Sequence, residues 1–66
     1  MKITLNGSER EIDRDATIAD LLAAAGFAGK RVAIEVNREI VPRSDYAERR
    51  LASDDRVEVV HAIGGG

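Results

Sequence analysis

The segment Lys2-Ile3-Thr4-Leu5-Asn6-Gly7-Ser8-Glu9-Arg10-Glu11-Ile12 decides the fold class. Ile3 and Leu5 alternate with Lys2, Thr4 and Asn6, the period of a half-buried strand. Asn6-Gly7 then marks a hairpin turn, because a tight turn between strands needs positive φ at both central positions and these residues tolerate it. Ser8 to Ile12 is expected to return antiparallel. Its side chains are mostly charged, which suits an edge strand where charge discourages pairing with other chains.

Beyond the hairpin, Asp13-Arg14-Asp15-Ala16 reads as a polar link. Thr17 is placed as a helix N-cap, and Asp20 three residues on approximates a capping box. Ile18, Leu21, Leu22 and Ala25 share one helical face. Gly26 is placed to stop the helix in a left-handed conformation, with Phe27 folding back onto the apolar face. A helix of about two turns depends on packing rather than propensity. After a loop at Ala28–Arg31, Val32, Ile34 and Val36 alternate with Ala33, Glu35 and Asn37. Asn37-Arg38-Glu39 turns into an extended Ile40-Val41, which Pro42 ends because it cannot donate to a ladder. Ser44 is placed to cap a short helical turn through Asp45–Arg49, with Leu51 as an apolar anchor and Ser53-Asp54-Asp55 as a turn. Val57 and Val59 alternate with Arg56 and Glu58 in a last strand running to about Ile63.

This order predicts an α+β domain over residues 1–63: a mixed four- to five-stranded sheet with one helix across one face. A right-handed crossover sets the first and last strands parallel at the sheet centre. That arrangement is the β-grasp (ubiquitin-like) fold. Residues 64–66 are expected to form a flexible glycine tail.

Composition narrows the chemistry. The 66 residues carry a net charge of −2 and 44% hydrophobic residues, so one small core forms and nucleic-acid binding is disfavoured for want of a basic surplus. With no cysteine, disulfides, thiolate metal sites and thiol catalysis are excluded. A metal site is not expected from a single His. The core rests instead on six Ile, four Leu, six Val and one Phe. No run of residues is long and apolar enough to span a membrane, and the N-terminal residues do not read as an export signal, which points to the cytoplasm.

Several polar features fit ordinary structural roles. His61 has no evident nucleophile or ordered partner and reads as a residue at the rim of the core. Asp54-Asp55 and Asp13/Asp15 read as turn formers, Lys30-Arg31 and Arg49-Arg50 as solvated surface, and Tyr46 as a ring over the core edge. The end of the chain differs. Gly64-Gly65-Gly66 follows a β-patterned strand. A stretch without Cβ atoms makes a thin arm able to thread a narrow enzyme channel, and its carboxylate, ionised at neutral pH, needs activation before acyl chemistry, most simply as a mixed anhydride with AMP. On residues alone, a frayed terminus explains the same glycines equally well. Val60 and Ala62 are expected to face outward on the last strand, near Ala33, and with Ile63 to form a partner-docking patch leading into the tail.

The whole chain resembles the ubiquitin-like sulfur carrier proteins of thiamine biosynthesis. The resemblance is carried by Ile3-Thr4-Leu5-Asn6-Gly7, by Thr17-Ile18 with Leu21-Leu22, by the segment from Val32 to Ser44 with Tyr46, and by Asp55 through Val57-Glu58-Val59-Val60 to Ile63-Gly64-Gly65-Gly66. It implies a carrier rather than an enzyme, with no cofactor bound to itself. An E1-like (ThiF-like) adenylyltransferase uses ATP and magnesium to adenylate the carboxylate of Gly66. A cysteine desulfurase or other sulfur donor converts the adenylate to a thiocarboxylate, and a ThiG-like thiazole synthase takes the sulfur. Gly65 and Gly66 match the family's terminal pair, and Gly64 adds reach. A free monomer is expected, binding neither nucleic acid nor membrane. The alternatives are a carrier like the small subunit of molybdopterin synthase, or a ubiquitin-like modifier or binding module.

Overall fold

A computed structural model describes residues 1–61, with side chains through Val60. The expected domain boundary at Ile63, the glycine tail and the side chain of His61 lie outside the described residues. Five strands form one sheet: β1 (Lys2–Leu5), β2 (Ser8–Glu11), β3 (Val32–Val36), β4 (Glu39–Val41) and β5 (Arg56–His61). Helix α1 covers Ile18–Ala24. The strand order is β2-β1-β5-β3-β4, so the last strand is central. It runs parallel to β1 and antiparallel to β3, so the first and last strands lie side by side and parallel as expected.

The first hairpin forms where the sequence places it. Asn6 and Gly7 have φ of 51° and 84°, and β2 pairs with β1 from Leu5↔Ser8 to Lys2↔Glu11. The strand β2 stops one residue short of the expected Ile12, whose N–H still donates to the Met1 carbonyl at 2.8 Å.

Helix α1 is capped at both ends by local sequence. The Asp20 N–H donates to Thr17 Oγ1 at 3.1 Å, and the Thr17 N–H donates to Asp20 Oδ2 at 3.0 Å. At the other end Gly26 has φ of 86°. Its N–H donates to the Ala23 carbonyl, and that of Phe27 donates to the Leu22 carbonyl at 2.7 Å, a complete Schellman motif. Two further N-terminal donors find distant partners. The Ile18 N–H reaches the Arg49 carbonyl at 3.0 Å, and the Ala19 N–H reaches the Tyr46 carbonyl at 2.9 Å. A seven-residue helix would be marginal alone; here the orphan donors of its first turn are all satisfied. Arg10, on the helix side of β2, donates to the Ala24 carbonyl at 3.3 Å.

The segment after β4 departs from expectation. A 3-10 turn forms over Arg43–Asp45 with Pro42, not Ser44, in the N-cap position and no side-chain cap. Pro42 is extended at φ −63° and ψ 147°, and its carbonyl accepts the Asp45 N–H at 2.9 Å. Proline's fixed φ already sets the chain up for the turn, so Ser44 falls inside it and stays exposed.

The core lies between α1 and one face of the sheet. Ile3, Ile18, Leu21, Ile34, Val36 and Val57 are fully buried, and no polar or charged residue is buried among the described residues. Tyr46 and Phe27 are half-buried against this core, which agrees with the reading of Tyr46 as an edge ring. Leu21 sits at the centre of the helix face at 1% exposure. Leu21→Ala should lower unfolding free energy by roughly 2–5 kcal/mol, a large share of what a domain of this size commands. Urea unfolding followed by circular dichroism measures it; a loss below about 0.5 kcal/mol would mean that Leu21 is not packed as described.

Candidate functional site

Alternation along the strands sorts the sheet into two faces. Val57 and Val59 point to the core, so Val60 points to the open face, where it is 50% exposed. Val60 stands directly opposite Ala33 on β3, and Ala33 is itself exposed. One pair along, Ile40 on β4 stands opposite Glu35. Ile40 is 75% exposed. Ile40 and Ala33 are therefore diagonal neighbours, and Ile40, Ala33 and Val60 trace an apolar stripe across three adjacent strands.

Val60 and Ala33 occupy the positions the sequence assigns them. Ile40 is a site residue that the sequence reading misses. Its signal was available: Val41 turns inward, so its neighbour must turn outward. Placing Ile40 beside Ala33 also requires the two-residue turn at Asn37-Arg38, which the structure supplies with φ of 51° and 71°. Ala62, Ile63, Gly64, Gly65 and Gly66, the other expected site residues, lie outside the described residues.

Charge frames the stripe. Glu35 and Glu58 stand opposite one another across β3 and β5. Arg56 meets Glu58 at 3.3 Å, and Lys2 meets Glu9 at 3.6 Å on the same open face. Exposed pairs of this kind add little stability. Next to the stripe, Arg56 offsets Glu58 and leaves the Glu35 carboxylate as the nearest charge, which suits a partner surface with a cation beside its apolar patch.

The remaining candidates fall into structural roles. The Asp55 carboxylate accepts from Asn37 Nδ2 at 3.0 Å and from the Ala52 N–H at 2.7 Å, so it does build a turn. Asp13 accepts the Ala16 N–H through its backbone carbonyl at 3.1 Å. Lys30, Arg31, Arg49 and Arg50 are exposed. Among the described residues no group of three or more His, Asp or Glu converges as a metal site would require.

The likenesses to known proteins agree with this geometry. The sequence matches the ThiS family over residues 3–66. It is 40% identical to the sulfur carrier protein ThiS of Bacillus subtilis, over 97% of this chain and 98% of that one. It is 46% identical to a thiazole synthase of Magnetococcus marinus over all 66 residues, but spans only 20% of that protein's length. The crystal structure of a thiamine biosynthesis protein (ThiS) from Geobacter metallireducens superposes with a TM-score of 0.86 at 29% identity, covering 100% of both chains. A mixed five-stranded β-grasp sheet with one helix and a sequence match running through Gly66 place this chain in the ThiS family.

Proposed function

We propose that this protein carries sulfur for the thiazole ring of thiamine, with the carboxylate of Gly66 as the attachment point and the Ile40–Ala33–Val60 stripe as the docking face. The observation that carries this reading is the position of β5. The central strand bears an exposed apolar residue, Val60, and in sequence Gly66 follows its last residue, His61, by five positions. Five residues span at most about 18 Å when extended, enough to reach into a partner's active site from a docked body. The family match and the full-length likeness to a Bacillus sulfur carrier support the same reading.

The chemistry follows from the carboxylate. An ionised carboxylate resists nucleophiles, so a carboxylate oxygen first attacks the α-phosphorus of ATP and displaces pyrophosphate. An E1-like adenylyltransferase (ThiF-like) supplies the ATP, the magnesium and the site. The terminal sulfur of a desulfurase persulfide then attacks the acyl carbon and displaces AMP. A second thiol cleaves the resulting acyl disulfide and leaves the thiocarboxylate. This chain has no thiol, so both sulfur donor and reductant come from elsewhere. The thiocarboxylate sulfur is a soft nucleophile, released on attack at an electrophilic intermediate held by a thiazole synthase (ThiG-like). Gly64 and Gly65 would thread the partner's channel, which any Cβ would narrow. Ala62 and Ile63 would extend the docking patch toward it. That this sequence is similar to one fifth of a thiazole synthase supports the pairing of carrier and synthase. ATP-dependent loading fits a cytoplasmic location, and among the described residues no helix is long and apolar enough to cross a membrane.

Incubation with the adenylyltransferase, ATP, desulfurase, cysteine and a thiol should replace one oxygen by sulfur, read by intact mass. Absence of that gain overturns the reading, and conjugates larger than the free chain would indicate a protein modifier instead. Removing Gly66 should abolish the gain and leave the circular dichroism spectrum unchanged. Ile40→Ser and Val60→Ser should each raise the KM for the carrier about tenfold, the worth of one aliphatic side chain buried at an interface, with kcat held. Unchanged KM in both would remove the stripe from the docking face.

A further inference from the structure

The turn residue Asn6 makes a contact that its turn does not need. The register of β1 and β5 ends at Leu5↔Val57, where β1 bends away into the Asn6-Gly7 turn. The Asn6 N–H donates to the Val57 carbonyl at 2.9 Å, one more rung of the ladder. The Val59 N–H would then face a vacated edge, but it donates to Asn6 Oδ1 at 2.8 Å in a partly buried bond between residues 53 apart in sequence. A side-chain oxygen thus takes the place of the missing strand. On its other side β5 is held by β3 out to Val32↔His61. Asn37 does the same at the start of β5, where its N–H donates to the Arg56 carbonyl at 2.8 Å and its Oδ1 accepts the Arg56 N–H at 2.9 Å.

We propose that Asn6 is a positioning residue for sulfur loading: its side-chain oxygen holds β5 at Val59, beside the docking residue Val60, and so fixes the direction in which the strand presents the chain that continues to Gly66. The proposal rests on the carrier reading above. Its physical content is separable from the turn. The turn asks for positive φ at position 6, which Gly, Asn and Asp all accept. The clamp asks for an acceptor oxygen on a short side chain, which only Asn and Asp among these provide. Without the acceptor, a partly buried N–H loses its partner. The β1 side of β5 then has no bond at Val59, while the β3 register still holds Val60 on the open face, so what is lost is the fixed direction of the strand and not the docking surface.

Asn6→Gly keeps the turn and removes the clamp; Asn6→Asp keeps both. Amide hydrogen exchange by NMR should show Val59 exchanging about fivefold faster in Asn6→Gly, relative to Ile3 and Ile34 in the same protein, and returning toward the parent value in Asn6→Asp. Single-turnover adenylation at saturating carrier should slow several-fold in Asn6→Gly and recover in Asn6→Asp, with the Kd for the adenylyltransferase within about twofold of the parent, below half a kcal/mol. Unchanged exchange at Val59 overturns the clamp. Faster exchange with an unchanged saturating rate shows a purely structural bond and overturns the positioning role, as does failure of Asn6→Asp to restore the rate. If the parent chain itself is not adenylated, the carrier reading falls and the positioning role with it, while the exchange measurement still reports on the clamp.

Discussion

The grip on the central strand governs the rest of this structure. β5 lies between a parallel neighbour and an antiparallel one, and it sends Val57 and Val59 into the core. A parallel pair cannot be closed by a tight turn, so β1 and β5 meet only after the helix, β3 and β4 have been laid down between them. Their contact is short, two register pairs, and the Asn6 turn extends it by a backbone and a side-chain bond. Asn6 from one side and Asn37 from the other each give a backbone donor and a side-chain acceptor to β5. The turns that reverse the neighbouring strands thus also stitch in the strand laid down last.

Much of this was legible because the signals are local. Asn6-Gly7 specifies a turn by its own backbone preferences. Thr17 and Asp20 close a capping box within one helical turn, and Gly26 with Phe27 ends the helix within five residues of Leu22. Alternation of Val57, Val59 and Val60 assigns faces without reference to anything distant. What could not be read is what depends on sequence separation. The carbonyls of Arg49 and Tyr46 satisfy the start of α1 from about thirty residues away. The Asn6 side chain looks like a turn residue until β5 is seen beside it. Ser44 looked like a cap because hydroxyls cap helices, but Pro42 had already set the backbone. Of the site, Val60 was readable from parity alone; Ile40 required the register of a neighbouring hairpin.

The distribution of polarity suits a molecule that is acted upon. All thirteen buried residues of the core are apolar, and the described interior holds no charge or hydrogen-bonding side chain to serve as an acid, base or ligand. What the body offers is shape: a rigid strand with an apolar stripe beside it.

An exposed apolar stripe on so small a sheet invites self-association, and the edges show how that is restrained. The outer strand β2 is Ser-Glu-Arg-Glu, with charge on both faces. The outer strand β4 is three residues long and is followed by Pro42, which has no N–H to extend a ladder. Another copy is thus discouraged from adding itself by hydrogen-bonding to either edge. Across the open face, Glu35 and Glu58 flank the stripe and Arg56 offsets only Glu58, so a second copy docking there would set the Glu35 carboxylates on a surface with no cation beside them. A partner with a cation beside its apolar patch supplies one. Edge chemistry and face chemistry therefore act in the same sense: both outer strands discourage addition of another strand, and the exposed apolar residues lie beside the Glu35 carboxylate, a pattern that favours a cation-bearing surface over a second copy.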